Sequence, residues 1–210
     1  MENEIKEPQP AYKRSRYITP EEYFKMDDLS EERLEYFDGK VFPVNYEIIG
    51  NEIVMQGASF NHEDIVANCV GEIRAKLKGK NCRIRASNLR TSPKQFKSYV
   101  YPDATITCGE VETAEGIFDT LTNAIVIIEV ASKSSKTSDY GKKYMYYKQM
   151  PSLQEYVVIY SFSKVQVDVF RRQPNNQWMN ECYSDLDETL ELQSIGVKIP
   201  LIDIYENVNF

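Results

Sequence analysis

The stretch that most constrains this chain is Ala124-Ile-Val-Ile-Ile-Glu129-Val-Ala131, an uninterrupted apolar run broken by a single carboxylate. A run this short and this rich in β-branched residues predicts a strand buried on both faces. Downstream, Ser138-Asp139 can cap a helix running to about Met150, where Pro151 stops it, and Glu155 to Tyr160 forms a second buried strand. Strand, helix and strand in that order make a parallel crossover, which predicts an α/β class.

Further elements surround this unit. Thr19-Pro20-Glu21-Glu22 supplies an N-cap, a proline at the first helical position and a capping-box glutamate, predicting a short helix to about Met26. Arg33 to Phe42 reads as two strands about the turn dipeptide Asp38-Gly39, and Tyr46 to Met55 as a second hairpin. From Asn61 to Lys78, Ile65, Val66, Cys69, Val70, Ile73 and Leu77 recur at helical spacing, with Gly79 as the stop. Strands are expected at Cys82 to Leu89 and Tyr99 to Thr107, antiparallel strands at Lys164 to Phe170, Trp178 to Tyr183 and Leu190 to Leu192, and a short helix from Pro200. Residues 1–17 read as a disordered polar lead and 18–210 as a single domain.

Composition narrows the function classes. A net charge of −7 argues against broad wrapping of a polyanion, which needs many Lys and Arg contacts to phosphate, although a local basic patch is compatible with it. The longest apolar run contains Glu129 and is too short to cross a bilayer, and the charged N-terminus has no signal-type core. Together these predict a cytoplasmic protein with no membrane contact. Cys69, Cys82, Cys108 and Cys182 are scattered, with no C-x-x-C pair and a single histidine. Neither a zinc knuckle nor a disulfide framework is expected, and the thiols read as reduced.

Chemistry enters with Tyr101-Pro102-Asp103, a carboxylate in a β-prone segment, and Glu129, a carboxylate in the most hydrophobic strand. An unpaired buried carboxylate costs several kcal/mol, so such a group sits near a strand end, pairs with a cation or binds a hard metal ion. Lys143 stands on the helix that leaves the Glu129 strand, with Tyr147 four residues along the same face. Sites in open α/β sheets form at the carboxyl ends of strands, where these groups belong. Two plainer readings stand beside this one. Asp103 can simply follow Pro102 in a turn and Glu129 can form a structural ion pair, with Lys133 as a rival cation, and Lys143 can belong to the solvated face Lys142-Lys143-Lys148.

Three segments carry a family resemblance. Tyr101-Pro102-Asp103-Ala-Thr-Ile-Thr resembles a Y-P-D strand, and Asp119-Thr-Leu-Thr-Asn123 followed by Ile128-Glu129-Val-Ala-Ser132 resembles D-T-L-T-N-P followed by V-E-V-L-S. Asp139-Tyr-Gly-Lys-Lys143-Tyr-Met-Tyr-Tyr147 with Pro151-Ser-Leu-Gln-Glu-Tyr156 is similar to a D-R-G-x-K-x-x-x-Y helix and P-S-L-x-E-Y strand entry. These are motifs of the Uma-two family of restriction-type endonucleases, a lineage of the PD-(D/E)XK superfamily. The likeness runs from about Thr19 to Glu206, with Phe42 to Ile53 as an insertion. Lys133, Ala131 and Asn88 depart from the usual residues at their positions, and none of them is a proposed ligand.

The resemblance implies a restriction-endonuclease-like core, with a mixed central sheet flanked by helices and additional antiparallel strands. It implies hydrolysis of DNA phosphodiester bonds with Mg²⁺ or Mn²⁺ held by Asp103, Glu129 and the Val130 carbonyl, and a lysine, Lys143, that has moved from the strand to the next helix. Glu35 matches a family glutamate before the D-G hairpin, with Glu47 competing, and His62 matches a histidine at the start of the long helix. Family analogy also suggests a possible homodimer. The alternative is a catalytically silent module on the same fold that binds nucleic acid or protein.

Overall fold

A computed structural model of the chain describes residues 16–44, 46–49, 52–55, 59–86, 89–93, 98–114, 117–133, 135 and 139–210. Most of the polar lead, Ser138 and Asn88 lie outside these residues, and for 46–49, 52–55, 117–118 and 139 the backbone alone is described.

The helix opened by Thr19 is α1, Pro20–Leu29, with the full capping box in place: Thr19 accepts from the Glu22 N–H and Glu22 accepts from the Thr19 N–H. Next come β1 (Leu34–Phe37) and β2 (Lys40–Pro43), joined at Asp38 (φ 44°) and Gly39 (φ 82°), the two positive φ values a type I′ turn demands. The second hairpin pairs β3 (Tyr46–Ile49) with β4 (Glu52–Met55). The long helix is α2, Phe60–Lys76.

Six strands form the central sheet: β5 (Cys82–Ala86), β8 (Ala104–Cys108), β11 (Val126–Ala131), β12 (Glu155–Tyr160), β13 (Val167–Arg172) and β14 (Trp178–Tyr183). Their order is β14-β13-β12-β11-β8-β5. The β11–β12 pair is parallel, as the crossover demands, and the other neighbours are antiparallel, so the sheet is mixed. Short strands lie outside it. β6 (Arg90–Thr91) and β9 (Thr113–Ala114) flank β10 (Ile117–Leu121), β7 (Ser98–Tyr99) joins β1, and β15 (Thr189–Leu192) pairs with β16 (Val197–Pro200). No described helix is long and apolar enough to cross a membrane.

Both central strands are buried throughout, and side-chain alternation splits them between two cores. Val126, Ile128 and Val130 pack on Ile65, Cys69 and Ile73 of α2. Ile127 and Ala131 face Tyr147, Met150 and Leu153 on the other side. Glu129 therefore points toward the crossover helix, while its neighbour Val130 faces α2.

Three expectations change. The strand expected over Tyr99 to Thr107 is split at Pro102-Asp103, because proline has no N–H to give a ladder. The helix expected to Met150 is a π-helical turn, Asp139–Lys143, followed by one α turn, α3 (Tyr144–Tyr147). Gly141, a poor helix former, sits in the π turn. The reduced state expected of all four cysteines is also corrected. Cys82 and Cys108 stand directly opposite on β5 and β8 and are joined as a disulfide, a cross-strand pairing that their separation of 26 residues hides in the sequence. Cys69 and Cys182 are free thiols.

Candidate functional site

The site begins at the start of β8. Ala104 is the first residue of that strand, paired with Ile128, and β11 runs on past it through Glu129 and Val130. A continued strand would have supplied an acceptor for the Val130 N–H. Instead, the Asp103 carboxylate takes that bond through Oδ2 at 2.7 Å. Pro102 stops the ladder, and Asp103 completes it with a side chain, which fixes the carboxylate against the Glu129-Val130 peptide.

On the α2 side, His62 Nε2 lies 3.3 Å from Asp103 Oδ1. Burial alone would lower the imidazole pKa, but the Asp103 carboxylate, Glu63 and a hydrogen bond to the Val130 backbone outweigh it, so the net shift is upward. A backbone partner that favours the protonated ring must be an acceptor, which places the Val130 carbonyl beside His62. Ser59 caps α2 by accepting from the His62 N–H, so the helix start itself carries the ring to Asp103.

On the opposite face, Lys143 Nζ lies 3.3 Å from Glu129 Oε1 and 3.4 Å from Glu35 Oε1. All three side chains are nearly enclosed, at 11% exposure for Lys143, 3% for Glu129 and 4% for Glu35. Tyr147, one turn after Lys143, donates to the same Glu129 oxygen at 2.9 Å. Burial first, and then the Glu129 and Glu35 carboxylates, push the Tyr147 phenol well above its ordinary range, so it stays a donor. Glu35, on β1, also accepts the Tyr101 N–H at 3.3 Å. Lys143 thus belongs to the site and not to a solvated lysine face.

His62 and Asp103 meet on the α2 side of β11, and Glu35, Glu129 and Lys143 meet on its other face, with the Glu129-Val130 peptide between the two groups. Glu47 lies on β3, whose backbone alone is described. Sequence reasoning missed the support around these groups. Asp27 of α1 accepts from Arg90 Nη2, from the Tyr101 hydroxyl and from the Leu34 N–H, tying α1 to β1 and β6 beside Glu35. Tyr101 is therefore held at both ends, by Asp27 and by Glu35. Helical spacing from Lys143 flags Tyr147, whereas no local pattern pairs Asp27 with Arg90, 63 residues apart.

Chemically, Asp103, Glu129 and Glu35 offer hard oxygen donors beside the Lys143 side chain and the His62 imidazole. Among the described residues no three His, Cys, Asp or Glu side chains close into a metal cage. Carboxylate and carbonyl oxygens are the donors that Mg²⁺ takes, with waters filling the rest of its shell.

The profile of the Uma2 family, described as "Putative restriction endonuclease", matches residues 20–201. The chain is 30% identical over 193 residues to the uncharacterized protein slr1290 of Synechocystis sp., covering 92% of this chain and 94% of that protein. It is 26% identical over 165 residues to the uncharacterized protein sll1609 of the same organism, covering 79% and 86%.

Proposed function

Because this chain belongs to the Uma2 family of restriction-endonuclease-like proteins, and its mixed α/β sheet has that form, we propose that it is a divalent-metal-dependent nuclease hydrolysing DNA phosphodiester bonds. The observation that supports this reading is the burial of Glu35, Glu129 and Lys143 on one face of β11 beside the Glu129-Val130 peptide, whose N–H bonds the Asp103 carboxylate.

Asp103, Glu129 and the Val130 carbonyl would hold Mg²⁺ or Mn²⁺. Bound there, such an ion would lower the pKa of a water and polarise the scissile phosphate. The chain's own groups do the rest. Tyr147 and Lys143 both address Glu129 Oε1, so that carboxylate keeps one orientation. Glu35 and Glu129 hold the Lys143 ammonium charged and aimed, ready to hydrogen-bond an attacking hydroxide and offset phosphate charge. His62 fixes Asp103 from the opposite side and carries a proton at Nε2.

Cleavage of single- and double-stranded DNA with Mn²⁺ tests the assignment in the parent and in Asp103→Ala, Glu129→Ala and Lys143→Ala. Loss of about 100-fold or more is expected in each variant. Equal activity in all four proteins overturns it.

A catalytically silent binding module is the second reading. It is favoured by the Lys143 and His62 ion pairs, which already compensate the acids. Mn²⁺ separates the two: a metal site raises the melting temperature by linkage and loses that response in Asp103→Asn, while a silent module shows no response. Light scattering decides whether two copies pair to face two DNA strands.

A further inference from the structure

At the opposite end of α2 from His62, the last turn of the helix and edge strand β5 flank an open cavity of about 740 Å³ whose nine lining residues include Arg74, Lys78, Lys80 and Arg83. Four of these nine residues are cationic and none is acidic, in a chain whose net charge is −7. Basic groups at a helix C-terminus can serve the helix dipole alone. Two nearby lysines are committed to structure in this way. Lys76 pairs with Glu72, and Lys80 donates to the Ile195 and Gly196 carbonyls. Arg74, Lys78 and Arg83 are different. They are exposed, and their side chains make no ion pair or hydrogen bond with any other described residue.

We infer that this cavity is a phosphate-backbone anchor, a second contact point for the nucleic-acid strand distinct from the acid cluster. The nucleic-acid identity of the anion rests on the proposed nuclease function; the anion site itself rests on the charges. The two places are separated along both elements that join them. From Asp103 to Cys108 at the far end of β8 is roughly 16 Å at a strand's rise per residue, and from His62 to Arg74 is roughly 18 Å along the helix. Successive phosphates of one duplex strand rise about 3.4 Å along the helix axis, so the anchor would hold a phosphate about five nucleotides along from the one at Glu129. A protein with three carboxylates at its reaction centre repels its substrate there. Remote cations at the far end of α2 and on β5 offset that repulsion without neutralising the acids.

The test is fluorescence-anisotropy binding of a labelled DNA duplex in EDTA, over a range of salt concentrations, with the parent and with Arg74→Ala/Lys78→Ala/Arg83→Ala. Lys80 is left intact because its ammonium satisfies two carbonyls. Working without metal separates binding from cleavage, so a nuclease reading that fails by Asp103→Ala leaves this result interpretable. The triple variant should melt like the parent, bind at least about tenfold more weakly, and lose about 2 to 3 from the slope of log K against log salt. Unchanged affinity and slope overturn the anchor. A second arm adds inorganic pyrophosphate: if it raises the melting temperature of the parent only, while the duplex binds neither protein, the cavity takes a small phosphorylated ligand and the nucleic-acid assignment fails.

Discussion

Tyr147 donates a 2.9 Å hydrogen bond to the same Glu129 oxygen that lies 3.3 Å from Lys143 Nζ. Two side chains one helical turn apart therefore fix one carboxylate in the centre of the sheet. The π turn before Tyr144 sets their phase, since a π turn places Lys143 differently from a continuous α-helix.

Replacing Tyr147 by Phe keeps the ring packing on Tyr156 and removes only the donor. A hydrogen bond to a charged acceptor in a buried setting contributes about 1.5–3 kcal/mol. Urea unfolding should show a loss in that range, with the m-value unchanged. A loss near zero would mean that Lys143 alone holds Glu129.

Lys143 separates two buried carboxylates, and Lys143→Met leaves Glu35 and Glu129 facing each other with the cation gone. Breaking a buried pair this way costs about 3–5 kcal/mol at neutral pH. Acidification, which neutralises the carboxylates, should narrow the difference, and Mn²⁺ should stabilise the variant more than the parent by standing in for the lost charge. A difference independent of pH would point to lost packing instead.

Much of this arrangement is legible in the sequence, and the reasons are local. The Ala124 to Ala131 run, Pro151 and the Glu155 strand give the crossover, because burial on both faces leaves few alternatives for such segments. Asp103, Glu129 and Lys143 stand out because charges in or beside buried strands need partners. The geometry that joins them is nonlocal and is not written in any window. Glu35 reaches the site only because β1 passes beside Tyr101, the pairing of Asp27 with Arg90 spans α1 and β6, and Cys82 meets Cys108 only once β5 and β8 are in register. The break in the ladder at Pro102 is a local signal whose meaning, a side chain taking over a backbone bond, appears only with β11 in place.

His62 is the sole histidine, so its titration gives one imidazole signal by NMR. Its pKa is raised in the folded protein, and the sign follows from that direction. The stabilisation is fully present below the unfolded value, about 6.5, and is lost as pH rises through the higher folded value. Parent stability should therefore fall across that window, while His62→Asn shows no such fall. Asp103→Asn should bring the NMR midpoint down. A midpoint unmoved by that change would show that His62 does not answer to Asp103.

The thiols give the last prediction. Cys69 is buried among the α2 core residues, and burial pushes its thiol up to about 12, so it has almost no thiolate at neutral pH. Cys182 is exposed, although burial of its sulfur and the Asp168 side chain raise its pKa as well. Alkylation of the native protein without reductant should therefore modify Cys182 slowly and leave Cys69 untouched. Unfolding should add Cys69 only, and reduction should then add Cys82 and Cys108. The disulfide closes a loop of 26 residues between an edge strand and its neighbour, which in the chain-entropy account stabilises the fold by about 3.5 kcal/mol. Cys82→Ser/Cys108→Ser should lower stability by up to that amount and leave the Asp103 end of β8 in place, because Ala104 keeps its pairing with Ile128. Labelling of all four cysteines in unfolded, unreduced protein would show that the pair is not joined.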